Sequence, residues 1–130
     1  MLSFRFVQTL WLVLCLGLAS VTSVAHATPP PDEQKLIAAL IQRVETMSSM
    51  KFMRNGMTYS AADAGKHMRA KYDYFKDKIG TAEEFIARCA SRSEMTGMPY
   101  RIQTNDGKEY DANAFLTQEL RKVRGAPSSG

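Results

Sequence analysis

A chain of 130 residues, 45% hydrophobic and 23% charged, is long enough for one domain with a real core and too short for two. Its formal net charge of +4 is mild and includes no run of like charges, so it carries no electrostatic footprint for nucleic acid. Glycine-rich phosphate loops, G-x-S-x-G elbows and H-E-x-x-H helices do not occur in it, which removes the commonest nucleotide, serine-hydrolase and zinc-protease signatures.

The N-terminus predicts a secretory signal. Arg5 precedes an apolar core from Phe6 to Leu18, and Ala25-His26-Ala27 forms a small-x-small cleavage pattern before Thr28. The apolar run falls short of the ~20 residues that span a bilayer. Cleavage after Ala27 is therefore expected, with no membrane span remaining. Cys15 follows Leu14, which is too bulky for a lipoprotein-type processing site. Removing residues 1–27 takes away Arg5, Trp11, Cys15 and His26, which lowers the net charge by one and leaves a single cysteine, Cys89, and a single histidine, His67. A lone cysteine makes no internal disulfide, and this pair cannot complete a structural zinc site of several Cys and His ligands, so the fold must rest on its core.

Thr28-Pro29-Pro30-Pro31 is a stiff lead-in. A first helix is predicted from Asp32 to about Ser48-Ser49, with Ile37, Leu40, Ile41, Val44 and Met47 on one apolar stripe. Lys51 to Arg54 reads as a strand, Asn55-Gly56 as a type I′ turn, and Met57 to Tyr59 as the returning arm. Ser60 is a helix N-cap with Asp63 in the capping-box position, opening a second helix to about Lys78 that buries Ala61, Ala64, Met68, Tyr72, Phe75 and Ile79. Gly80 suits a left-handed C′ position. Thr81 and Glu84 form a second capping box for a helix whose inner face is Ala82, Phe85, Ile86, Cys89 and Ala90. After the loop Ser91 to Met98, a strand at Tyr100 to Thr104, a turn at Asn105-Asp106-Gly107 and an arm at Lys108 to Tyr110 make a second hairpin. Asp111 caps a last helix with Ala112, Phe115, Leu116, Leu120 and Val123 inward, and residues 125–130 form a polar, disordered tail.

These elements predict an α+β domain over residues 28–124, with about four helices, including a central helical hairpin, packed on a small antiparallel sheet. The strand at Phe52 is expected to pair with the one at Tyr100, because an isolated hairpin is marginal in water. That pairing would bring Arg54, Tyr59 and the Ser91–Tyr100 loop together. The segments Phe52-Met53-Arg54-Asn55-Gly56, Tyr59-Ser60, Ala61-Ala62-Asp63-Ala64, His67-Met68-Arg69, Thr81 to Ile86, Ala90-Ser91-Arg92-Ser93 and Gly97-Met98-Pro99-Tyr100 are similar, in this order, to the YfeK-like family of small exported bacterial proteins. That family is of unknown function. The resemblance implies a periplasmic or secreted protein and transfers no catalytic residue.

Several chemistries remain to be weighed. Met47, Met50, Met53 and Met57, with Met95 and Met98, are soft thioethers that an exported Cu(I) binder would use, but the predicted elements break their spacing, and core filling is the preferred reading. Cys89 lies in an apolar stripe and reads as a buried, inert thiol. His67 has Asp63 four residues before it and Lys71 four after, on one helical face, where an Asp–His pair would poise a base, but a surface or semi-buried side chain held by its neighbour is the preferred reading. The favoured function is a non-enzymatic binding or interaction module of the cell envelope, for an envelope protein or a small ligand, without a cofactor. Its candidate binding residues are Arg54, Asn55, Tyr59, His67, Ser93 and Tyr100. The alternative is a small hydrolase or transferase using His67 with Tyr59 or Glu83. A concave pocket or an open face around these residues would separate the two.

Overall fold

Proline sets where the first helix begins. In the computed structural model, which describes residues 28–125, helix α1 (Pro31–Glu45) opens on Pro31, whose missing N–H costs nothing in a first helical turn. The expected signal segment lies outside the described residues, as do residues 126–130 of the expected tail. Ile37, Leu40, Ile41 and Val44 form the buried stripe of α1, while Met47 lies past the helix end at Glu45 and is only half-buried. The helix therefore stops short of the expected Ser48-Ser49. Where α1 crosses the second helix, a Cβ at Gly65 would run into the Glu45 side chain, which would have to move aside.

Strands β1 (Lys51–Arg54) and β2 (Met57–Tyr59) are joined through Asn55 at φ 51° and Gly56 at φ 76°, the positive pair that a type I′ turn demands. Strand β1 also pairs antiparallel with β3 (Arg101–Gln103), placing Phe52 opposite Ile102, and β3 pairs with β4 (Glu109–Asp111). Both predicted hairpins thus merge into a single sheet of order β2-β1-β3-β4. The merger stabilises each hairpin with a backbone ladder that neither would have alone.

Helix α2 (Ala61–Phe75) starts where Ser60 Oγ accepts the Asp63 amide at 3.2 Å. It gives way to a 3-10 turn at Lys76–Lys78, and Ile79 then runs extended, so the expected left-handed cap at Gly80 is not used. The Gly80 amide instead donates to the Glu84 carboxylate at 2.8 Å. That bond changes the second capping box: Thr81 Oγ1 accepts the Glu84 amide at 3.1 Å as expected, but the Glu84 side chain reaches one residue further back. Helix α3 (Ala82–Cys89) buries Phe85, Ile86 and Cys89, and α4 (Ala112–Gly125) is capped by Asp111 Oδ1 accepting the Ala114 amide at 3.1 Å.

The four helices pack on the sheet around one core, consistent with the predicted α+β class. Glu119 of α4 is nearly buried, yet it bonds Arg43 of α1 and Lys122. Burial pushes its carboxyl pKa up, but the Lys122 and Arg43 hydrogen bonds outweigh that, and it stays below the ordinary 4.5. The pair therefore clasps α1 to α4 as an ion pair.

Candidate functional site

Strand alternation decides what faces α2. Side chains two apart on a strand share a face, and directly opposed residues of an antiparallel pair do too. Phe52 and Arg54 of β1, and Tyr59 opposite Phe52, therefore point with Ile102 towards the helices. Phe52 and Ile102 pack into the core, whereas Arg54 and Tyr59 lie at the turn end, where the sheet meets His67 of α2.

Arg54 Nη1 lies 2.9 Å from His67 Nδ1 and 3.2 Å from Nε2, and Arg54 Nη2 donates to the Tyr59 hydroxyl at 3.2 Å. Its guanidinium also stacks 5.0 Å above the Tyr59 ring. Arginine only donates, so the nearer Nδ1 is the acceptor, which leaves Nε2–H to donate to the Tyr100 hydroxyl at 3.2 Å. The Tyr100 oxygen also receives Lys71 Nζ at 3.5 Å, and Lys71 donates to the Arg92 carbonyl at 3.2 Å. Burial, then the positive charges of Arg54 and Lys71, lower the His67 pKa from 6.5 to about 4. At neutral pH His67 is an uncharged connector between Arg54 and Tyr100.

The turn is tied to the loop beyond α3. Asn55 Nδ2 donates to Ser93 Oγ at 3.1 Å, and Thr96 Oγ1 donates to Asn55 Oδ1 at 2.7 Å. Ser93 Oγ also lies within reach of the amides of Met95 and Thr96, at 3.3 and 3.4 Å. Asn55→Ala is expected to cost about 1 kcal/mol, since alanine resists positive φ and both side-chain bonds vanish. Urea unfolding measures this, and an unchanged midpoint would show that the turn bears no strain and the ties no weight.

All the candidate binding residues thus meet. Arg54, Asn55, Tyr59, His67, Ser93 and Tyr100 arrive from β1, the turn, β2, α2, the loop and the approach to β3. The expected Asp63–His67 pair does not form, because the ring is turned to Arg54 and Tyr100. Nor is the hydrolase arrangement assembled. Tyr59 bonds Arg54 and the Met57 sulfur, Glu83 bonds Arg124 of α4, and a histidine titrating near 4 is a poor base at neutral pH. Lys71 joins the cluster as well. Its spacing from His67 placed it on the right face, but only the fold shows it 9% exposed beneath Tyr100 and 3.9 Å from the Glu94 carboxylate. Thr96 carries no sequence signal at all.

The cluster divides two depressions. On one side lies a partly open cavity of about 250 Å³, mostly apolar, lined by Phe52, Ala64, Met68, Cys89, Ile102 and Leu116 together with Arg54, Tyr59, His67 and Tyr100. On the other lies a broader, more open groove of about 700 Å³ bordered by Asn55, Lys71, Tyr74, Ser93 and Met95, which shares Arg54, His67 and Tyr100. The sequence left pocket and open face as alternatives; the structure has one of each, with a common wall. Tyr74 and Met95, 79% and 92% exposed, give the groove an apolar edge.

Cys89 is fully buried, and burial, the largest influence on it, raises its thiol to about 11. Native protein at neutral pH is therefore expected to resist alkylation with iodoacetamide and to label only on unfolding. Rapid native labelling, read by intact mass, would contradict this and restore a nucleophile reading. The methionines scatter: Met50 packs on the core, Met53 lies on β1, and Met57, Met95 and Met98 are exposed. Among the described residues no group of His, Cys, Asp and Glu gathers to hold a metal, and no helix is long and apolar enough to cross a membrane.

No solved structure matches this chain significantly. It is 34% identical over 80 residues to the uncharacterized protein YfeK of Salmonella typhimurium, an alignment covering 62% of this chain and 67% of that protein. A family model described as a family of unknown function, DUF5329, matches residues 31–124. Its span takes in every helix and strand that builds the Arg54–His67 cluster, and the chain belongs to this family.

Proposed function

We propose that this protein is a non-enzymatic, exported binding module of the cell envelope that takes its ligand or partner on the Arg54–His67 face. One observation carries the reading. A guanidinium is held on rigid backbone by neutral groups alone, His67 and Tyr59, at the junction of a cavity and a groove. Arg43, Arg69 and Arg124, by contrast, are matched by carboxylates. Arg54 keeps its charge available for something that arrives from outside. Export to the periplasm or the medium is supported by the charged, apolar and small-x-small pattern of residues 1–27.

Native affinity purification from the periplasm, followed by mass spectrometry of whatever stays bound, tests the reading. Arg54→Ala and His67→Ala are expected to lose at least about tenfold of the retained material. Their melting curves should move little, because both side chains are only part-buried. Wild-type retention by both variants, or the absence of the protein from the exported fraction, would overturn it.

A further inference from the structure

The cavity beside Arg54 is built like an amphiphile site: mostly apolar, with polar groups concentrated among a few side chains. We propose that it binds a small amphipathic carboxylate, with the alkyl or aryl end against the half-buried Phe52, Tyr59 and Ala64 and the acid on Arg54 and the Tyr100 hydroxyl. The inference rests on the binding reading of the Arg54–His67 face and names the class of ligand that face takes.

Size is the first argument. An apolar cavity of about 150 Å³ holds a benzene molecule. At about 250 Å³ this one has room for a substituted ring or a short alkyl chain, but not for a folded peptide segment. Charge is the second. No carboxylate of the described residues lies within salt-bridge distance of Arg54, whose bonds to His67 and Tyr59 use only part of a five-donor fork. The fork suits a planar carboxylate, which it engages through two parallel N–H bonds. The third is the hydroxyl of Tyr100. It accepts from His67 and Lys71, so its own hydrogen is left to donate, and both Tyr100 and Arg54 line the cavity. Lys71 adds a second positive charge behind the ring, 5.4 Å from its centroid. Asp63 borders the cavity too and opposes an anion there, which makes it a probe of sign.

Protein expressed from the full-length sequence is titrated by calorimetry with straight-chain carboxylates of increasing length, and with alcohols and ammonium ions of matched length. Affinity for the carboxylates is expected to rise about fourfold per methylene until the cavity is full, and then level off. Arg54→Ala should weaken carboxylate binding at least about tenfold and leave the alcohols unchanged, and Tyr100→Phe should act in the same direction more weakly. Asp63→Asn should tighten the carboxylates. Ala64→Leu, which fills the cavity from α2, should abolish binding of carboxylates and alcohols alike; Ala64→Met serves if the leucine variant melts early. Ammonium ions binding as tightly as carboxylates, affinity indifferent to chain length, or no carboxylate binding at millimolar concentration would each overturn the proposal. The two readings fail separately. If Arg54→Ala loses the periplasmic partner while Ala64→Leu retains it, the face binds but the amphiphile does not fill this cavity. Retention by both variants removes both readings.

Discussion

Phe85→Ala is expected to destabilise the domain by about 3–5 kcal/mol, the usual cost of emptying a large aromatic site in a core. Phe85 is fully buried on α3 and meets Tyr72 of α2 edge-to-face, with ring centroids 5.7 Å apart and planes at 87°. The substitution removes both the buried area and an aromatic pair worth about 1 kcal/mol beyond it. Small domains hold only about 5–15 kcal/mol in total, so the variant should sit close to the unfolding threshold. For a domain of this size the midpoint should fall by roughly 12 °C or more. Thermal and urea unfolding followed by far-UV circular dichroism give the number. A loss under about 1 kcal/mol would mean that α3 does not dock on α2 as described, and that the frame holding His67 is looser than its contacts imply.

Stability should also climb with pH through the histidine range. His67 titrates at 6.5 when unperturbed and at about 4 in the fold, so the unfolded chain binds the proton more readily. The sign follows directly. The contribution of a neutral, folded His67 is complete above pH 6.5 and is lost as pH falls towards 4. At about 1.4 kcal/mol per pKa unit the full shift corresponds to roughly 3 kcal/mol. The ring is only part-buried, and solvent screening brings the expected change to about half of that. Glu45, Glu83 and Glu119 are held below their ordinary 4.5, so their contributions are lost at more acid pH. The window from about pH 5 to 6.5 therefore belongs to His67. Somewhat over half of the expected change develops between pH 7 and pH 5, so urea unfolding at the two pH values should show about 1 kcal/mol in the wild type and its disappearance in His67→Gln, which keeps an acceptor for Arg54 and a donor for Tyr100. An equal pH dependence in the variant would assign the effect to other groups.

What could be read from the residues alone was whatever is determined within about four positions of itself. Asn55-Gly56 specifies its turn because few residues tolerate two positive φ angles in a row. Ser60, Thr81 and Asp111 specify helix starts because each places an oxygen beside an orphan amide three residues on. The stripes of α1 and α3 specify their inner faces by periodicity, and even the β1–β3 pairing followed from the weakness of a lone hairpin. Of the candidate binding residues, Asn55 belongs to such a device, and Arg54 and Tyr59 stand on the strands that it joins.

The β1–β3 pairing also implied that Arg54, Tyr59 and the Ser91–Tyr100 loop come together, but not which side chains bond. Asp63 and Lys71 are equally spaced from His67 on the helix, yet neither is its partner, because β1 presents Arg54 and the approach to β3 presents Tyr100 to the ring. Burial of Lys71 likewise depends on where Tyr100 and the Arg92 carbonyl come to rest, which no helical pattern encodes. Gly80 has no left-handed role because the helix and its 3-10 turn end at Lys78 and Ile79 is already extended, and its amide meets Glu84 instead. The cavity and the groove are the space left over when α2, α3, α4 and the sheet have packed, so their shape exists only in three dimensions. Local codes set the turn and the helix starts; the packing of distant segments decided which residues of the Arg54–His67 cluster touch, that His67 stays neutral, and that Arg54 keeps an unmatched charge beside an apolar cavity.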